Sequence, residues 1–572
     1  YDGNLGVIYH PDHTIFRLFS PVASEVILSL GDDEYVMNYI EPIWEIDIRG
    51  DQKNKPYVYK IRLVDTYKEV KDPYTMACTT TSSVVIDWSD TIKIDPTPII
   101  VKNYVDAVIY EGHVRDMTIH LDVESKGTFL GLTEYSKTLK SSVLSYIKKL
   151  GMTHLQLLPV FDFGGVDDIN KDLKYNWGYN PEQYFAIDGF YSTDPDDPYE
   201  RINSFKKVIN EAHKIGLGIN MDVVYNHVYE YDKFPYDDIV PGYFYRHDAK
   251  HKMTNASYCG NDIETRNYMV RKLIVDSLKH FVKNFAIDGF RFDLMGLLDI
   301  DTMLAIEKEL KKIYPYIMLY GEGWNMATEV PPRYRANMQN HQAFMSYAHF
   351  NDGFRNTFKG ELHGPGIGYA NGNLSLSHKA MDCLLGSPSM FLSPNQSINY
   401  VECHDNLTFY DKMLLSSGFE KPEFKINQDF INHVIAISQG VPFYHAGQEF
   451  YRSKKGVENS YNSPDDINQI HWNIHTEGVK KLRKLLSIRK QYKAYRQTEY
   501  LDNVTVHRDQ NIIIYTIDTK RYKLIHYIKP YPSIERFPLY EGKLLFPSQK
   551  VLNEEHHIYV DHPGVYIVLI KK

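Results

Sequence analysis

The stretch Leu217-Gly-Ile-Asn-Met-Asp-Val-Val224 is an almost continuous apolar run, and Ile287-Asp-Gly-Phe-Arg-Phe-Asp293 is a second run of the same kind. Consecutive rather than alternating apolar residues are typical of parallel strands that are buried on both faces. Between these runs, residues 267–285 repeat apolar side chains with the period of an amphipathic helix. Strand, helix and strand in this order predict a parallel β-α-β unit.

The same alternation extends in both directions along the chain. Helical patterns at residues 141–150, 204–215 and 301–313 separate several of the strand candidates. Eight strands are predicted, at residues 107–114, 154–158, 217–224, 287–293, 317–321, 343–348, 398–403 and 441–446. Eight such units predict a (β/α)8 TIM barrel over residues 104–497. A Tyr-, Asp- and Pro-rich insertion at residues 230–262 is too irregular for a barrel helix and is expected over the active-site face.

Shorter β-type runs flank this region on both sides. Residues 14–20 and 57–63 before it, and residues 511–516 and 565–570 after it, are strand patterns bounded by turn residues. We therefore expect an N-terminal β-sandwich at residues 1–103 and a C-terminal β-sandwich at residues 498–572. A chain of 572 residues is too long for one hydrophobic core, which agrees with this division.

The composition excludes several classes of protein. The formal net charge is −9, from 64 Lys and Arg against 73 Asp and Glu, and the sequence contains no block of basic residues. No nucleic-acid partner is therefore expected. No apolar run reaches the length of about 20 residues that a membrane helix needs. The four cysteines lie far apart, without the spacing of a thiolate metal site. A cytoplasmic monomer or weak oligomer is expected, with a secreted or processed form left open because the sequence begins at Tyr1.

Polar residues gather where four predicted barrel strands end. Active sites of (β/α)8 barrels lie at this end, so these side chains are expected to converge. The third strand leads into Asp222, Asn226 and His227, the fourth into Arg291 and Asp293, the fifth into Glu322 and Trp324, and the seventh into His404 and Asp405. Any one of them could be a solvated loop residue, but four strand ends together favour a site. A catalytic metal is not expected, because the first strand offers a single His113 and no His-x-His pair.

Two carboxyl groups on neighbouring strands suit the cleavage of a glycosidic bond. One must protonate the leaving oxygen, and the other must act on the anomeric carbon through an oxocarbenium-like transition state. Alternate residues of a strand share a face, so Arg291 can hold Asp293 anionic as the nucleophile. Glu322 would then be the acid and later the base.

These four strand ends resemble the four hallmark regions of glycoside hydrolase family 13, the α-amylase superfamily. The resemblance implies a retaining mechanism in which Asp293 is the nucleophile, Glu322 the general acid/base and Asp405 the third carboxylate, which binds hydroxyls of the distorted sugar. It also assigns side chains around that sugar. Those that bind it directly would be Arg291, His227 and His404, with Asp222 and Asn226 as support. Trp324, two residues after Glu322, is also expected to bind the substrate.

Tyr175-Asn-Trp-Gly-Tyr-Asn-Pro181 is similar to the seven-residue signature of type I pullulanases, which implies hydrolysis of α-1,6 branch linkages in pullulan, glycogen or starch-derived dextrins. Tyr179 would stack on the sugar at the cleavage point and Trp177 would shape the surface that binds the branch. Similarity to pullulanases extends over residues 109–116, 292–296, 440–449 and 459–465. The N-terminal domain resembles family 48 carbohydrate-binding modules, but a role in buttressing the barrel is favoured over glucan binding, because Trp44 and Trp88 suit its core.

The sequence departs from the family at three positions and leaves several alternatives open. Asn180, Leu298 and Cys403 stand where relatives often have Asp, His and Lys, which puts the preferred chain length around the branch in doubt.

Other family 13 activities, such as a branching enzyme or an α-1,4-acting amylase, remain alternatives, and a non-catalytic glucan-binding protein is a remote one. No cofactor is required, and Ca²⁺ is possible at four insertion carboxylates: Asp232, Asp237, Asp238 and Asp248.

Overall fold

Eight parallel strands close into a barrel in the computed structural model, which describes residues 1–95, 98–547, 552–554 and 556–572. Each strand pairs with the next in chain order, and the eighth pairs with the first. The strands are Ile109–Gly112, His154–Leu157, Gly218–Val223, Gly289–Phe292, Met318–Gly321, Ala348–Phe350, Ser397–Asn399 and Val441–His445. The predicted (β/α)8 TIM barrel is therefore confirmed.

The interior of the barrel changes from apolar to polar along its axis. Ile109, Met318 and Phe443 belong to one buried apolar cluster. Nearer the carboxyl ends of the strands, Gln156 Oε1 accepts a hydrogen bond from the Tyr320 hydroxyl at 2.8 Å. These two residues lie on the second and fifth strands, which are not neighbours, so the contact passes through the barrel interior. A hydrogen-bonded polar layer therefore lies between the apolar core and the mouth of the barrel.

Helices surround most of the barrel. The long ones begin with side-chain caps where the sequence supplies them: Asp197 accepts from Tyr199 N before a Pro at the first helical position, and Asp299 accepts from Thr302 N. The α-helices that follow the barrel strands are Val114–Thr118, Val143–Leu150, Pro198–Lys214, Tyr236–Ile239, Tyr268–Phe285, Ile300–Ile313, Asp352–Lys359, Ser377–Leu384, Phe409–Ser417, Glu423–Ile437, Asp465–Asn468 and Glu477–Gln491. Within the described ranges, no helix has the length and apolar character needed to cross a membrane.

The sixth strand was predicted at the wrong residues. Residues 343–348 form an apolar run, but the strand is Ala348–Phe350, and the run lies mostly in the 3-10 stretch Met338–Phe344 and the turn after it. Phe344 and Tyr347 are nevertheless buried, and the Tyr347 hydroxyl donates to Met303 O at 2.7 Å. A short buried run has no periodicity that separates a strand from a turn, which explains the error.

The insertion between the third strand and its helix is anchored beside the barrel mouth. His227–Val228 pairs antiparallel with Asn261–Asp262, so the two ends of the insertion meet just beyond the third strand. Arg246, inside the insertion, is buried and donates from Nη1 to Leu297 O at 2.9 Å, in the loop that follows the fourth strand. The insertion therefore forms one wall above the carboxyl ends of the strands.

Two antiparallel sheets lie on each side of the barrel in the sequence, as the β-sandwich predictions required. Before the barrel, one sheet contains Gly6–His10, His13–Phe19, Asn38–Ile40 and Ile43–Arg49, and the other contains Glu25–Leu30, Asp33–Val36, Pro56–Arg62, Tyr67–Val70 and Ser83–Val84. After it, one sheet contains Val504–Asp509, Ile512–Asp518, Tyr522–Lys529, Lys543–Phe546 and Gly564–Lys571, and the other contains Glu535–Pro538, Leu552–Glu554 and His557–Val560.

Both tryptophans of the N-terminal domain are used in packing. Trp44 is buried and its Nε1 donates to Ser20 O at 2.9 Å. The Trp88 ring packs edge-on against His280 of a barrel helix, with ring centroids 5.3 Å apart. Neither ring is an open platform for a sugar, so these contacts favour a buttress over a glucan-binding surface.

Candidate active site

Arg291 is the centre of the polar cluster at the carboxyl ends of the strands. It lies on the fourth strand and is 2% exposed. Its Nη1 donates to Asp222 Oδ1 at 2.9 Å and to Asp293 Oδ1 at 3.0 Å. Its Nη2 forms an ion pair with Glu322 Oε1. One guanidinium therefore holds three carboxyl groups that come from three neighbouring strands.

Strand register brings the two central carboxyl groups to the same height. Phe292 on the fourth strand pairs with Gly321 on the fifth, and the next residue on each strand is Asp293 and Glu322 respectively. The ladder continues one step further, because Glu322 N donates to Phe292 O at 3.1 Å. The backbone thus fixes both side chains at the mouth of the barrel before any substrate is present.

Asp293 receives hydrogen bonds on both carboxylate oxygens. Arg291 donates to Oδ1, and Asn226 Nδ2 donates to Oδ2 at 2.8 Å. The amide of Asn226 is oriented in turn by His227, whose Nδ1 lies 2.6 Å from Asn226 Oδ1. N–H donors on both oxygens stabilise an ionised carboxylate, as a nucleophile requires.

Glu322 also has an N–H donor at each carboxyl oxygen, Arg291 at Oε1 and Leu294 at Oε2, but burial shifts the pKa of its carboxyl group. Burial raises the pKa of its carboxyl group to about 8, with nearby Asp293 adding to the effect and Arg291 opposing it. Its Oε2 accepts from Leu294 N at 3.0 Å, and Leu294 takes a φ of 41° to aim that N–H. A left-handed conformation costs a residue other than Gly about 1–2 kcal/mol. The raised pKa keeps Glu322 protonated to a higher pH than an ordinary glutamic acid, which suits a general acid.

His404 forms a second centre on the opposite side of the site. Its Nδ1 lies 2.7 Å from Glu111 Oε1, and its backbone N–H donates to Glu111 Oε2 at 2.7 Å. Burial alone would lower the pKa of His404, but the carboxylates of Glu111 and Asp405 raise it to about 9. His404 Nε2 is 3.6 Å from Asp405 Oδ2, and the Asp405 side chain is 37% exposed. Asp405 is thus the accessible carboxylate beside a charged imidazolium.

The Tyr179 ring joins these two centres. It stacks on the His404 imidazole, with centroids 5.0 Å apart and planes 22° apart. Its hydroxyl donates to Asp222 Oδ2 at 2.6 Å. Gly178, just before it, takes a φ of 105°, and a Cβ there would lie 2.9 Å from Pro159 O. A residue with a side chain would displace this loop, and with it the ring.

Trp177 supports the site from beneath. It is 4% exposed, and its ring packs edge-on against His404 at 4.8 Å. Lys454 lies on the same ring, with its Nζ 5.2 Å from the centroid, and donates to His404 O at 2.9 Å. The Trp177 side chain is therefore packed inside the protein rather than exposed on a surface that could bind a glucan branch.

The remaining predicted residues lie outside the Arg291 cluster. Trp324 follows Glu322 by two residues, but its Nε1 has no partner in the part of the chain that the structure describes. Asn180 donates to Gly164 O at 3.3 Å, and Leu298 is buried. Cys403 Sγ contacts Asp405 O at 3.8 Å. Of the three departures from the family pattern, Cys403 alone touches a proposed catalytic residue.

Sequence reasoning missed Glu111 and Lys454. Glu111 is the next-to-last residue of the first barrel strand, within the segment 109–116, where only His113 was considered. The rule applied to four other strand ends, that polar residues there converge, would have found it. Lys454 lies in a loop after the eighth strand, and nothing in its local sequence indicates that it is buried beneath the site.

Three of the four insertion carboxylates proposed for Ca²⁺ are used within their own loops or in a surface ion pair. Asp237 Oδ1 accepts from Gly242 N, Asp248 Oδ1 accepts from two backbone N–H groups, and Asp238 pairs with Lys68. Across the described residues, no group of three or more His, Cys, Asp or Glu side chains could hold a metal ion. No Ca²⁺ site can be assigned to the insertion from these contacts.

Comparisons with known proteins agree with this geometry. A family model described as the α-amylase catalytic domain matches residues 138–239. Pullulanase of Bacillus subtilis strain 168 is 40% identical over 87% of this chain and 72% of that protein. Pullulanase A of Streptococcus pneumoniae strain D39 is 34% identical over 64% of this chain and 30% of that protein. The crystal structure of an Anoxybacillus sp. LM18-11 pullulanase with maltotetraose superposes with a TM-score of 0.96, at 36% identity, over 100% of this chain and 88% of that one.

Proposed function

The chain belongs to the type I pullulanases of glycoside hydrolase family 13, which hydrolyse α-1,6 linkages in glucans, and we propose how its residues cleave this linkage. In this proposal Asp293 is the nucleophile and Glu322 is the general acid and base. The observation that carries it is the pairing of both carboxyl groups with the two terminal nitrogens of Arg291. Carboxyl groups about 5–5.5 Å apart leave no room for an intervening water and give retention of configuration.

The reaction then has two steps. Glu322 donates its proton to the glycosidic oxygen while Asp293 attacks the anomeric carbon, which breaks the α-1,6 bond and forms a glycosyl-enzyme ester. The ionised Glu322 next takes a proton from water, and this water displaces Asp293 from the anomeric carbon. The product keeps the α configuration, and both carboxyl groups return to their initial protonation states.

The residues around the pair bind the sugar in the proposed site. Asp405, exposed beside the charged His404, would accept hydrogen bonds from hydroxyls of the distorted ring. Tyr179 would stack on that ring, and Arg291 and His227 would contact it. Asp222 and Asn226 would act through Arg291 and Asp293, which they contact directly. Trp177 would support His404, and a role for Trp324 in substrate binding stays a prediction.

We propose α-glucans that contain α-1,6 linkages as substrates, namely linear pullulan and the branched glycogen and dextrins from starch. The polymer to test first is pullulan, in which maltotriose units are joined by α-1,6 bonds. Maltotriose as the sole end product, with linear amylose left intact, would support the proposal. Panose or isopanose from pullulan would indicate an α-1,4-acting amylase, and new branches on amylose would indicate a branching enzyme. No product from any glucan would favour a binding protein.

The alkaline limb of the pH profile of kcat/KM should report the ionisation of Glu322. This group must be protonated to act as the acid, and its pKa is raised to about 8. We therefore expect kcat/KM on pullulan to fall tenfold for each pH unit above about 8. The profile of the Glu322→Gln variant should lack this limb. A limb at the same pH in both enzymes would assign it to another group.

Glu111 is proposed as a positioning residue that keeps His404 charged and oriented towards Asp405. A hydrogen bond between charged groups contributes about 1.5–3 kcal/mol, so the Glu111→Gln variant should lose about 10- to 100-fold in kcat. The loss should grow with pH, because the pKa of His404 would fall from about 9 towards its ordinary value. Steady-state kinetics between pH 5 and 8, with an NMR titration of the histidines, would measure both effects.

The matched control is Glu402→Gln. Glu402 is equally buried and also accepts from a histidine, with its Oε1 3.1 Å from His445 Nδ1. This variant should lose thermal stability without a pH-dependent loss of kcat. An identical response of the two variants would mean that Glu111 has only a structural role.

A cytoplasmic location and a monomeric or weakly oligomeric state remain proposals. All four cysteines are free thiols, and two of them, Cys78 and Cys383, are buried. Unpaired thiols are usual in a reducing compartment. Fractionation of the source cells and light scattering of the purified protein would test the two proposals separately.

A further inference from the structure

A large cleft opens at the end of the barrel opposite the active site. Val108, Thr153 and Gly216 line it, and each lies just before the first, second or third barrel strand. Its walls are the carboxyl ends of helices Val143–Leu150 and Glu477–Gln491. The cleft has a volume of about 790 Å³. Pockets of about 300–1,000 Å³ accommodate small-molecule ligands.

The cleft concentrates positive charge in a chain whose net charge is −9. Among the residues that the structure describes, Asp106 is the only acidic one in its lining, and it forms an ion pair with Arg496. Its basic lining residues are Lys102, Lys148, Lys149, Arg483, Arg489, Lys490, Lys493 and Arg496. Low-dielectric walls that carry one sign of charge focus the field and attract counter-ions. The surface therefore favours an anionic ligand.

Most of these cations have no partner of their own. In the described parts of the chain, no hydrogen bond or ion pair is made by the side chains of Lys102, Lys149, Arg483, Lys490 and Lys493. Lys148 donates to Gly216 O at 2.7 Å, and burial together with the charge of Lys490 lowers its pKa. Mutual repulsion among these side chains is thus left unbalanced by the protein itself.

The floor of the cleft holds a buried cation. Arg489 is 2% exposed, and its two terminal nitrogens donate to four carbonyl oxygens, those of Ser438 and Gly440 at 2.7 Å, Ala436 at 3.0 Å and Val105 at 3.4 Å. Its Nε has no partner among the described residues, and no described carboxylate pairs with it. Burial lowers the pKa of Arg489 to about 10. A buried guanidinium without a counter-charge is costly unless an anion approaches it.

Favourable interactions with helix carboxyl ends explain only some of the basic residues in the cleft. Lysine and arginine in the last turn interact favourably with the helix carbonyls, which accounts for Lys148, Lys149, Arg489 and Lys490. Lys102 lies in the segment before the first strand, and Arg483 lies in the middle of its helix. Helix capping therefore does not require either of these two residues at the cleft.

We propose that this cleft binds a small molecule that carries two or more phosphate groups. Several exposed ammonium groups suit multiple phosphate oxygens, because each can form a short charge-assisted hydrogen bond, and the buried Arg489 adds positive charge beneath them. The concave shape favours a compact ligand over a nucleic-acid strand or a membrane surface. Since the cleft and Asp293 lie at opposite ends of the barrel, such a ligand would not occupy the glucan site. The inference is independent of the glycosidase proposal.

Titration calorimetry with inorganic pyrophosphate at constant ionic strength tests this site. The variant Lys149→Gln/Lys490→Gln/Lys493→Gln removes three exposed cleft charges. The control variant Lys126→Gln/Lys379→Gln/Lys520→Gln removes three exposed lysines elsewhere. We expect the wild type and the control to bind one pyrophosphate with the same Kd, and the cleft variant to bind it about tenfold or more weakly. Higher salt should weaken binding in the wild type.

Three results would overturn the proposal. The first is no binding of pyrophosphate to the wild type. The second is an equal Kd for the wild type and the cleft variant, which would place the anion elsewhere. The third is equal affinity for sulfate and pyrophosphate. If the first result comes with tight binding of a long polyanion such as tRNA, the cleft would instead be a nucleic-acid surface. Circular dichroism of both variants would verify that each is folded.

Discussion

The Asp293→Asn variant is expected to hydrolyse pullulan on the order of 10⁴-fold more slowly than the wild type. An amide cannot form the glycosyl-enzyme ester, so the first step loses its nucleophile while substrate binding is kept. The fold should survive, because the change costs at most one or two hydrogen bonds around Arg291 and Asn226. Each contributes about 1–3 kcal/mol, against about 5–15 kcal/mol for the unfolding of a domain.

Asp288→Asn provides the matched control for this variant. Asp288 precedes the same strand at its other end, is buried, and accepts from Ile219 N at 2.7 Å. Its substitution should lower the melting temperature and leave kcat close to the wild-type value. Thermal melts and steady-state kinetics on pullulan would be recorded for both variants. Wild-type turnover in a folded Asp293→Asn enzyme would falsify the assignment of the nucleophile.

The Glu322→Gln variant should lose about 10²- to 10⁴-fold in turnover of pullulan, because a sugar oxygen leaves poorly without a proton. The loss should be much smaller for the first step with α-maltotriosyl fluoride, since fluoride needs little protonation to leave. The second step would then be slow, because no base activates water. Burst kinetics with the fluoride, with and without added azide, would separate the two steps.

Azide distinguishes an acid/base role from a structural one. It attacks the glycosyl-enzyme without a base, so it should restore turnover of the fluoride in Glu322→Gln and give an α-glycosyl azide. The same addition should not affect Asp293→Asn, which forms no intermediate. An equal loss on pullulan and on the fluoride, without rescue, would show that Glu322 is not the acid.

The sequence predicted the barrel well because its strands are buried on both faces. Residues 217–224 and 287–293 were long enough to be recognised, and the observed strands lie within them. The predicted bounds were wrong where a strand is short: Ser397–Asn399 shares two residues with the predicted range 398–403, and the sixth strand shares one with 343–348. Ala348–Phe350 has three residues, and no periodicity can be read from so few. The loop between the fifth and sixth strands was equally obscure, because 3-10 turns there replace a regular barrel helix.

The sequence predicted those site residues that lie at the ends of neighbouring barrel strands. Asp293, Glu322 and Arg291 lie together because register and alternation determine their positions, and both can be inferred from sequence. The Glu111–His404 pair crosses the barrel mouth between the first and seventh strands, a contact that local patterns do not contain. The basic cleft was missed for a similar reason. Lys102, Lys149 and Lys493 come from distant segments, so no basic block marks them in the sequence.

Proton NMR of pullulan during the first minutes of hydrolysis tests the central claim most directly, because it reports the linkage that is cleaved and the configuration of the product together. With Asp293 and Glu322 as a retaining pair, the anomeric signal of the α-1,6 linkage should decrease. The signal of α reducing ends should appear first, and β reducing ends should follow only by mutarotation. Loss of the α-1,4 signal, or β reducing ends appearing first, would contradict the account.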